Sequence, residues 1–406
     1  MRFTKWIFLL AGIIFTSFAF SLKAQDSAIV KLPDTLRAVK YKKPVLTILL
    51  PLYLDSAFDA SGQYRYGKQF PRFMLPGLEF YEGVQLAIDS LKKEGVVLDV
   101  NIVDTRSSQS LGNILAQSVV KNADLLLAHI SFNELKPLAE FANDEKLPFI
   151  NVNLPNDGGV TNNPYMVILN STLQSHCEGI YNFLQRNYGK GPIVVFRKAG
   201  AQEDRLKAYF SDVEKATMGT ALKLKYVTLP DGFTEAQLKI HLDSNRITMA
   251  VAGSLDEGFA RHLAIHLATL NKTYPVQVMG MPTWDGIRDL DKKEYKDLEI
   301  FYSIPFNPVR TDALSEAIGR HFKDNLFSRP SDMVFRGYET MYRFGKLLQE
   351  QGPNISSSIG EKKHKVFTDF DIQPVLLDNQ KQQLDYFENK KLYIIKKLNG
   401  AVQTVF

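Results

Sequence analysis

At 406 residues, with 45% apolar and 23% charged side chains, the chain is long enough for two lobes that each bury a core, and its composition is that of an ordinary globular protein. The formal net charge of +5 falls to about +2 once Arg2, Lys5 and Lys23 of the first segment are set aside, which leaves no basic footprint for nucleic acid. The single cysteine, Cys177, excludes an intramolecular disulfide, so stability has to come from packing.

Arg2 and Lys5 precede the apolar run Trp6 to Phe20. That run is shorter than the ~20 residues a spanning helix needs. A basic start followed by a short apolar core reads as a secretory signal over residues 1–24, cleaved near Ala24, which places the mature chain in the periplasm. Residues 25–43 are polar and basic and read as a flexible lead-in. Val45 to Leu52 is the first buried strand. The connection after it, 53–76, is long and carries Tyr53, Phe58, Tyr64, Tyr66, Phe70 and Phe73. Gly77 to Lys93 has apolar residues at helical spacing, with Gly95 placed to end the helix. A strand over 96–103 and a helix over 110–121 follow.

Residues 123–156 form the clearest unit. Leu125 to Ala128 is a strand, Ser131-Phe132-Asn133-Glu134 a capping box, 132–143 a helix and 148–152 a second strand. Strand–helix–strand at this length is a βαβ unit with parallel strands, and ligands of such sheets sit beyond the carboxyl ends of the strands. Those ends are His129-Ile130-Ser131 and Asn151-Val152-Asn153, so His129, Ile130, Ser131, Asn151 and Asn153 are candidate ligand contacts. Beyond the strand 165–169, Ser175 and Ser254 each open an S-x-x-E capping box that follows a strand. Helix N-termini there offer free N–H groups to an anionic ligand. Further βα units run through 280, then a strand at 299–305 and helices at 312–325 and 337–350; the tail 372–395 reads as antiparallel strands. His262 and His266 have metal-ligand spacing but no acid beside them in sequence, so no metal site is assigned. No phosphate-binding loop, dinucleotide fingerprint or hydrolase elbow occurs, and neither catalytic residues nor a cofactor are expected.

Four stretches resemble the type I periplasmic binding proteins, the branched-chain amino-acid-binding and receptor ligand-binding group, in the form found in Bacteroidetes-type envelope proteins: GLEFYEGVQLAIDSL (77–91), the segment 125–156, NPYMVILNSTLQSHCEG (163–179) and SDMVFRGYETMYRFGKLL (331–348). The resemblance implies an α/β fold of two doubly wound lobes with a central cleft and a hinge. It implies a division into a first lobe over 44–168 and 277–350, and a second lobe over 169–276 completed, with a C-terminal hairpin, by 351–406. The departures are specific. Ala128-His129 stands where the family has Gly-Pro; Asn170 and Ser175 stand for its Arg and Asp; Gln202-Glu203 stands for its Tyr-Gly; Asn153 stands for a small hydroxyl residue. Gln202, Glu203 and Ser254 are therefore candidates on the opposite wall, and Trp284 in GMPTW is a candidate stacking residue. The function implied is capture of a small polar or anionic solute, amino acids included, by hinge closure on behalf of an ABC-type transporter. The alternative is the same fold used as an envelope interaction or regulatory module with a degenerate cleft.

Overall fold

In β1 (Val45–Leu50), Leu46, Ile48 and Leu50 face one buried cluster while Leu49 faces another. Period-two burial on both faces marks a strand covered by helices on each side. The computed structural model describes residues 43–217, 219–378 and 383–405, so the expected signal segment and lead-in lie outside the described residues.

A short helix α1 (Leu54–Ala57) interrupts the long first connection, and α2 (Leu75–Lys93) follows it. Then come β2 (Asp99–Asp104), the short α3 (Leu111–Leu115) and α4 (Ser118–Lys121), β3 (Leu125–Ala128), α5 (Phe132–Asp144), β4 (Phe149–Asn151) and β5 (Met166–Ile168). The second series is α6 (Leu173–Tyr188), β6 (Ile193–Arg197), α7 (Ala201–Ala216), β7 (Leu224–Thr228), α8 (Glu235–Lys239), β8 (Thr248–Ala252), α9 (Glu257–Leu270), β9 (Val276–Met279) and β10 (Glu299–Ile304). Next come α10 (Ala313–Leu326), α11 (Asp332–Gln351) and two strand pairs, β11 (Ile372–Asp378) with β12 (Gln383–Asn389) and β13 (Tyr393–Leu398) with β14 (Ala401–Thr404).

These strands build two sheets of seven, ordered β11-β12-β5-β4-β3-β1-β2 and β14-β13-β10-β9-β8-β6-β7. In each, the five strands of one βα series are parallel and wound in the same order, and the chain's end completes both sheets. β12 lies parallel to β5, whereas β13 lies antiparallel to β10. On the first sheet, α2, α10 and α11 cover one face and α3, α4 and α5 the other. On the second, α8 and α9 cover one face and α6 and α7 the other. This is the expected pair of doubly wound lobes.

The expected division of the chain needs correction. Residues 277–350 were assigned to the first lobe, yet β9 and β10 pair within the second sheet, so the chain returns only after Ile304. Residues 351–406 were assigned to the second lobe, yet β11 and β12 extend the first sheet. The reason is that a buried strand looks the same in either sheet; only its pairing partner decides where it belongs. Two capping assignments also move. Helix α6 is capped by Thr172, whose hydroxyl accepts from Ser175 N, and α9 by Asp256, whose carboxylate accepts from Phe259 N at 2.6 Å. The carboxylate is the stronger acceptor for the free N–H groups of the first turn, so Ser254 is released to another partner.

The first lobe depends on a close approach of α2 and α11. A Cβ on Gly83 would lie 1.9 Å from the carbonyl oxygen of Val334, and one on Gly337 would lie 2.1 Å from that of Phe80. Both helix backbones touch at these glycines, which brings Phe80, Val84, Met341 and Phe344 into one buried layer. Gly83→Ala is expected to lower the unfolding free energy in urea by about 2 kcal/mol or more, because backbone cannot yield as a side chain can. Gly319→Ala, in α10 with no neighbour within 4 Å of its added methyl, is expected to raise it by about 0.5–1 kcal/mol. Equal effects of the two substitutions would contradict the close packing.

Candidate functional site

The chain passes between the lobes three times, at 169–172, 304–307 and 389–392. One side chain joins all three passages. Asn389 is fully buried. Its amide nitrogen donates to the carbonyls of Leu169 (3.2 Å), Pro305 (3.4 Å) and Lys391 (3.5 Å), and its amide oxygen accepts from Asp371 N and Lys391 N, each at 3.1 Å. Its own carbonyl accepts from Ser171 Oγ at 2.6 Å. Next to it, the buried carboxylate of Glu388 accepts from Thr172 N and from Lys390 Nζ, and Lys390 Nζ also donates to Ser175 Oγ at 2.7 Å. A buried charge joined this way to both a cation and a backbone donor is fixed in place.

Above this knot, at the carboxyl ends of the strands, a cavity of about 750 Å³ opens between the lobes. That is the size of a small-molecule site. The first lobe contributes 155–157, Arg336 on α11 and Tyr386 on β12. The second contributes Ala201, Gln202, Arg205 and Tyr209 of α7, Leu255, Pro282, Thr283, Asp285 and the end of β10; the crossover contributes 170–174 and His176. A larger groove at Phe327 and smaller ones at Arg106 and Phe233 are each lined by one lobe only, so lobe movement would not enclose a ligand there.

Arg205 and Arg336 line the cavity together with Asp157 and Asp285. Arg205 Nε donates to Tyr209 OH at 2.6 Å, and Tyr386 OH lies 3.5 Å from Asp157 Oδ2. The apolar walls push the Asp285 carboxyl above its ordinary range, partly offset by the charge of Arg336. Burial holds His176 down to about 3, with its Nδ1 2.7 Å from Ser303 Oγ, so it is a neutral hydrogen-bonding group at neutral pH. Burial likewise lowers His129 to about 4, and the positive charge of Arg336 adds to the effect. Below pH ~6.5 the unfolded chain takes up protons that these two histidines refuse, so both make the fold less stable in acid.

Of the ten candidate ligand residues, only Gln202 lines this cavity. His129 is buried with Nδ1 unpartnered and its ring edge against Phe80. Ile130 is core, and Asn153 clamps it by accepting from Ile130 N at 2.9 Å and donating to Ile130 O at 2.8 Å. The backbone N–H and hydroxyl of Ser131 both donate to Glu134 Oε2 at 2.7 Å, and Arg106 holds the same oxygen, as the capping box requires. Asn151 is fully buried and closes a turn by accepting from Asn153 N and Leu154 N. Ser175 belongs to the hinge. Glu203 and Ser254 satisfy each other, Ser254 Oγ donating to Glu203 Oε1 at 2.7 Å, and both are buried. Trp284 is fully buried in the second core, with its ring against Gly280. His262 Nε2 sits 2.9 Å from Phe233 O and 3.2 Å from His266 Nε2, and no metal-holding cluster occurs among the described residues.

Sequence reading missed Arg336, Asp285, Tyr386 and Asn389. Arg336 lies inside a quoted motif, SDMVFRGYETMYRFGKLL, where a cation next to a glycine on an otherwise core-facing helix was the available signal.

Neither a protein-family model nor a curated protein sequence matches the chain. Solved structures do. An ABC transporter substrate-binding protein from Desulfitobacterium hafniense superposes with a TM-score of 0.60 at 12% identity, covering 90% of this chain and all of that one. A branched-chain amino acid ABC transporter periplasmic ligand-binding protein from Burkholderia xenovorans gives 0.57 at 13% identity, over 90% of this chain and 95% of its own. A branched-chain amino acid transporter substrate-binding protein from Streptococcus pneumoniae, in complex with isoleucine, gives 0.52 at 13% identity, over 90% and 99%. The chain has the type I periplasmic binding protein fold.

The hinge knot makes a quantitative prediction. Asn389→Ala leaves buried carbonyls and N–H groups without partners and is expected to cost about 2–3 kcal/mol in urea unfolding. Asn389→Asp, which sets a carboxylate against three carbonyl oxygens, is expected to cost more. A loss under about 0.5 kcal/mol for Asn389→Ala would contradict the assignment.

Proposed function

We propose that this chain is an exported solute-binding protein that captures a small polar or anionic solute between its lobes and closes on it, delivering it to an ABC-type membrane transporter. The observation that carries this reading is that the cavity bounded by both lobes is lined by charged and amide side chains and by residues of the first two crossovers. A solute touching both walls makes contacts that exist only in the closed state, and that difference in contacts drives closure. No catalytic group is needed for this work. The structural neighbours are described as substrate-binding proteins of ABC transporters, which supports the transport half of the reading. The neighbours' amino acid ligands make amino acids the first solutes to try. The expected export signal supports a periplasmic location, and no helix among the described residues is long and apolar enough to cross a membrane.

A second reading, an envelope interaction or regulatory module, is favoured by the first connection. Leu54, Phe58, Phe70 and Phe73 there are 48%, 41%, 44% and 50% exposed, an apolar outlay that does not line the cavity between the lobes.

A thermal-shift screen of the purified mature chain against amino acids, short peptides and sugars separates the two. At a hundredfold excess over Kd a bound solute stabilises by about 2.7 kcal/mol, which is a rise of several degrees in melting temperature. The first reading predicts such a rise with at least one small solute. No rise with any, together with recovery of one envelope protein on the immobilised chain that is lost on mutating Phe70 and Phe73, would replace it with the second.

A further inference from the structure

We infer that Arg336 is the anchor for a carboxylate on the captured solute; the inference rests on the solute-binding reading. Arg336 sits one turn into α11 and lines the cleft. Its guanidinium lies over the ring of Phe306, with Cζ 4.2 Å from the centroid, and Phe306 belongs to the second crossover. This cation–π contact holds the guanidinium against an aromatic face without using its N–H groups.

Those N–H groups are uncommitted. Nε is buried and has no hydrogen-bond partner, and no carboxylate of the described residues comes within ion-pair distance of the side chain. Arg310 and Arg343 on the same lobe also leave Nε without a partner, but their terminal nitrogens are engaged, whereas those of Arg336 are not. Arg343 donates to the carbonyls of Lys363 and Glu361, and Arg310 donates to those of Asn307 and Val309 and lies 3.6 Å from Asp332. A half-buried guanidinium held against an aromatic face with free donors is the arrangement that pairs with a planar oxyanion through two parallel hydrogen bonds.

The surrounding charge selects the anion. Asp285, Asp332 and Glu339 attract Arg336 from beyond contact, while His129 and Arg310 are near enough to feel its charge. Asp157 and Asp285 also line the cavity. This acidic surround leaves room for one negative charge at the fork and disfavours a dianion such as phosphate. Asp285, carried by the opposite lobe, faces the same space and suits a second, cationic group on the solute. An amino acid or a short peptide with a free C-terminus has both groups.

The test uses calorimetric titration of the mature chain with the twenty amino acids, short peptides, C3–C6 carboxylates, neutral sugars and inorganic phosphate. Each acid that binds is repeated as its amide or methyl ester. At least one free acid is expected to bind, its amide at least tenfold more weakly. Arg336→Gln, which keeps a planar group over Phe306, is expected to lose at least tenfold, and Arg336→Lys to lose less. If Arg336→Gln does not fold, the acid–amide comparison on the unaltered chain decides alone. Equal affinity for acid and amide, or for Arg336→Gln and the unaltered chain, overturns the anchor. A neutral sugar that binds both forms equally overturns it too, while the solute-binding reading stands. Preference for phosphate overturns the choice of carboxylate. Absence of binding across the whole set overturns both.

Discussion

The structure depends on one carboxamide. Asn389 touches each of the three strands of chain that run between the lobes, and it does so from a fully buried position. An amide suits this work because it can donate and accept at once without carrying charge. The three passages are held at one place, which is where the proposed closure would pivot. Ser171, Thr172, Glu388 and Lys390 extend the same network onto the first turn of α6. The knot therefore links the axis of any closure to the helix whose first turn forms part of the cleft wall.

Polar groups in this molecule divide into those that finish each other and those left open. Ser131 with Glu134, Asn153 with Ile130, and Ser254 with Glu203 are closed pairs; they hold the strand-end loops in shape. Pairing them removes the desolvation penalty they would otherwise carry and leaves them little to offer a ligand. Gln202, Arg336 and Asp285 face the cavity instead. Glu339, beneath Arg336 on α11, is pushed up to about 7 by burial while it accepts from Thr368 N and Thr368 Oγ. Between its ordinary value and 7 the fold keeps a proton that the unfolded chain releases, so the stability it confers is lost as pH rises through that window. Near pH 7 the charge beneath the fork is therefore partly cancelled.

The fold was legible in the sequence because hydrophobic alternation and capping are local. The strand Leu125–Ala128, the helix opened by Ser131 and the glycines of GLEFYEG and FRGYE each declare their element within a few residues. Sheet membership was not legible. β10 and β12 are both short buried strands, and which sheet takes them depends on partners such as Ile394 and Val167, about ninety and two hundred and twenty residues away. The cleft was legible only as a region. Its position at strand ends follows from the βα order, but which side chains face it depends on how strand-end groups pair across loops. Ser254 reads as a ligand group until Glu203 is found beside it. Trp284 reads as a stacking platform until Gly280 is found to leave room for its ring in the core. Arg336 reads as one more charge on a helix until Phe306, thirty residues earlier, is found under it.

In the proposed function the two lobes close about the Asn389 knot on a solute held between them. Small-angle X-ray scattering of the mature chain, titrated with the solute that raises its melting temperature, tests this directly. A smaller radius of gyration is expected at saturation, with the change following the binding curve and shrinking in Arg336→Gln at the same solute concentration. A radius of gyration that stays constant while the solute saturates the protein would contradict it.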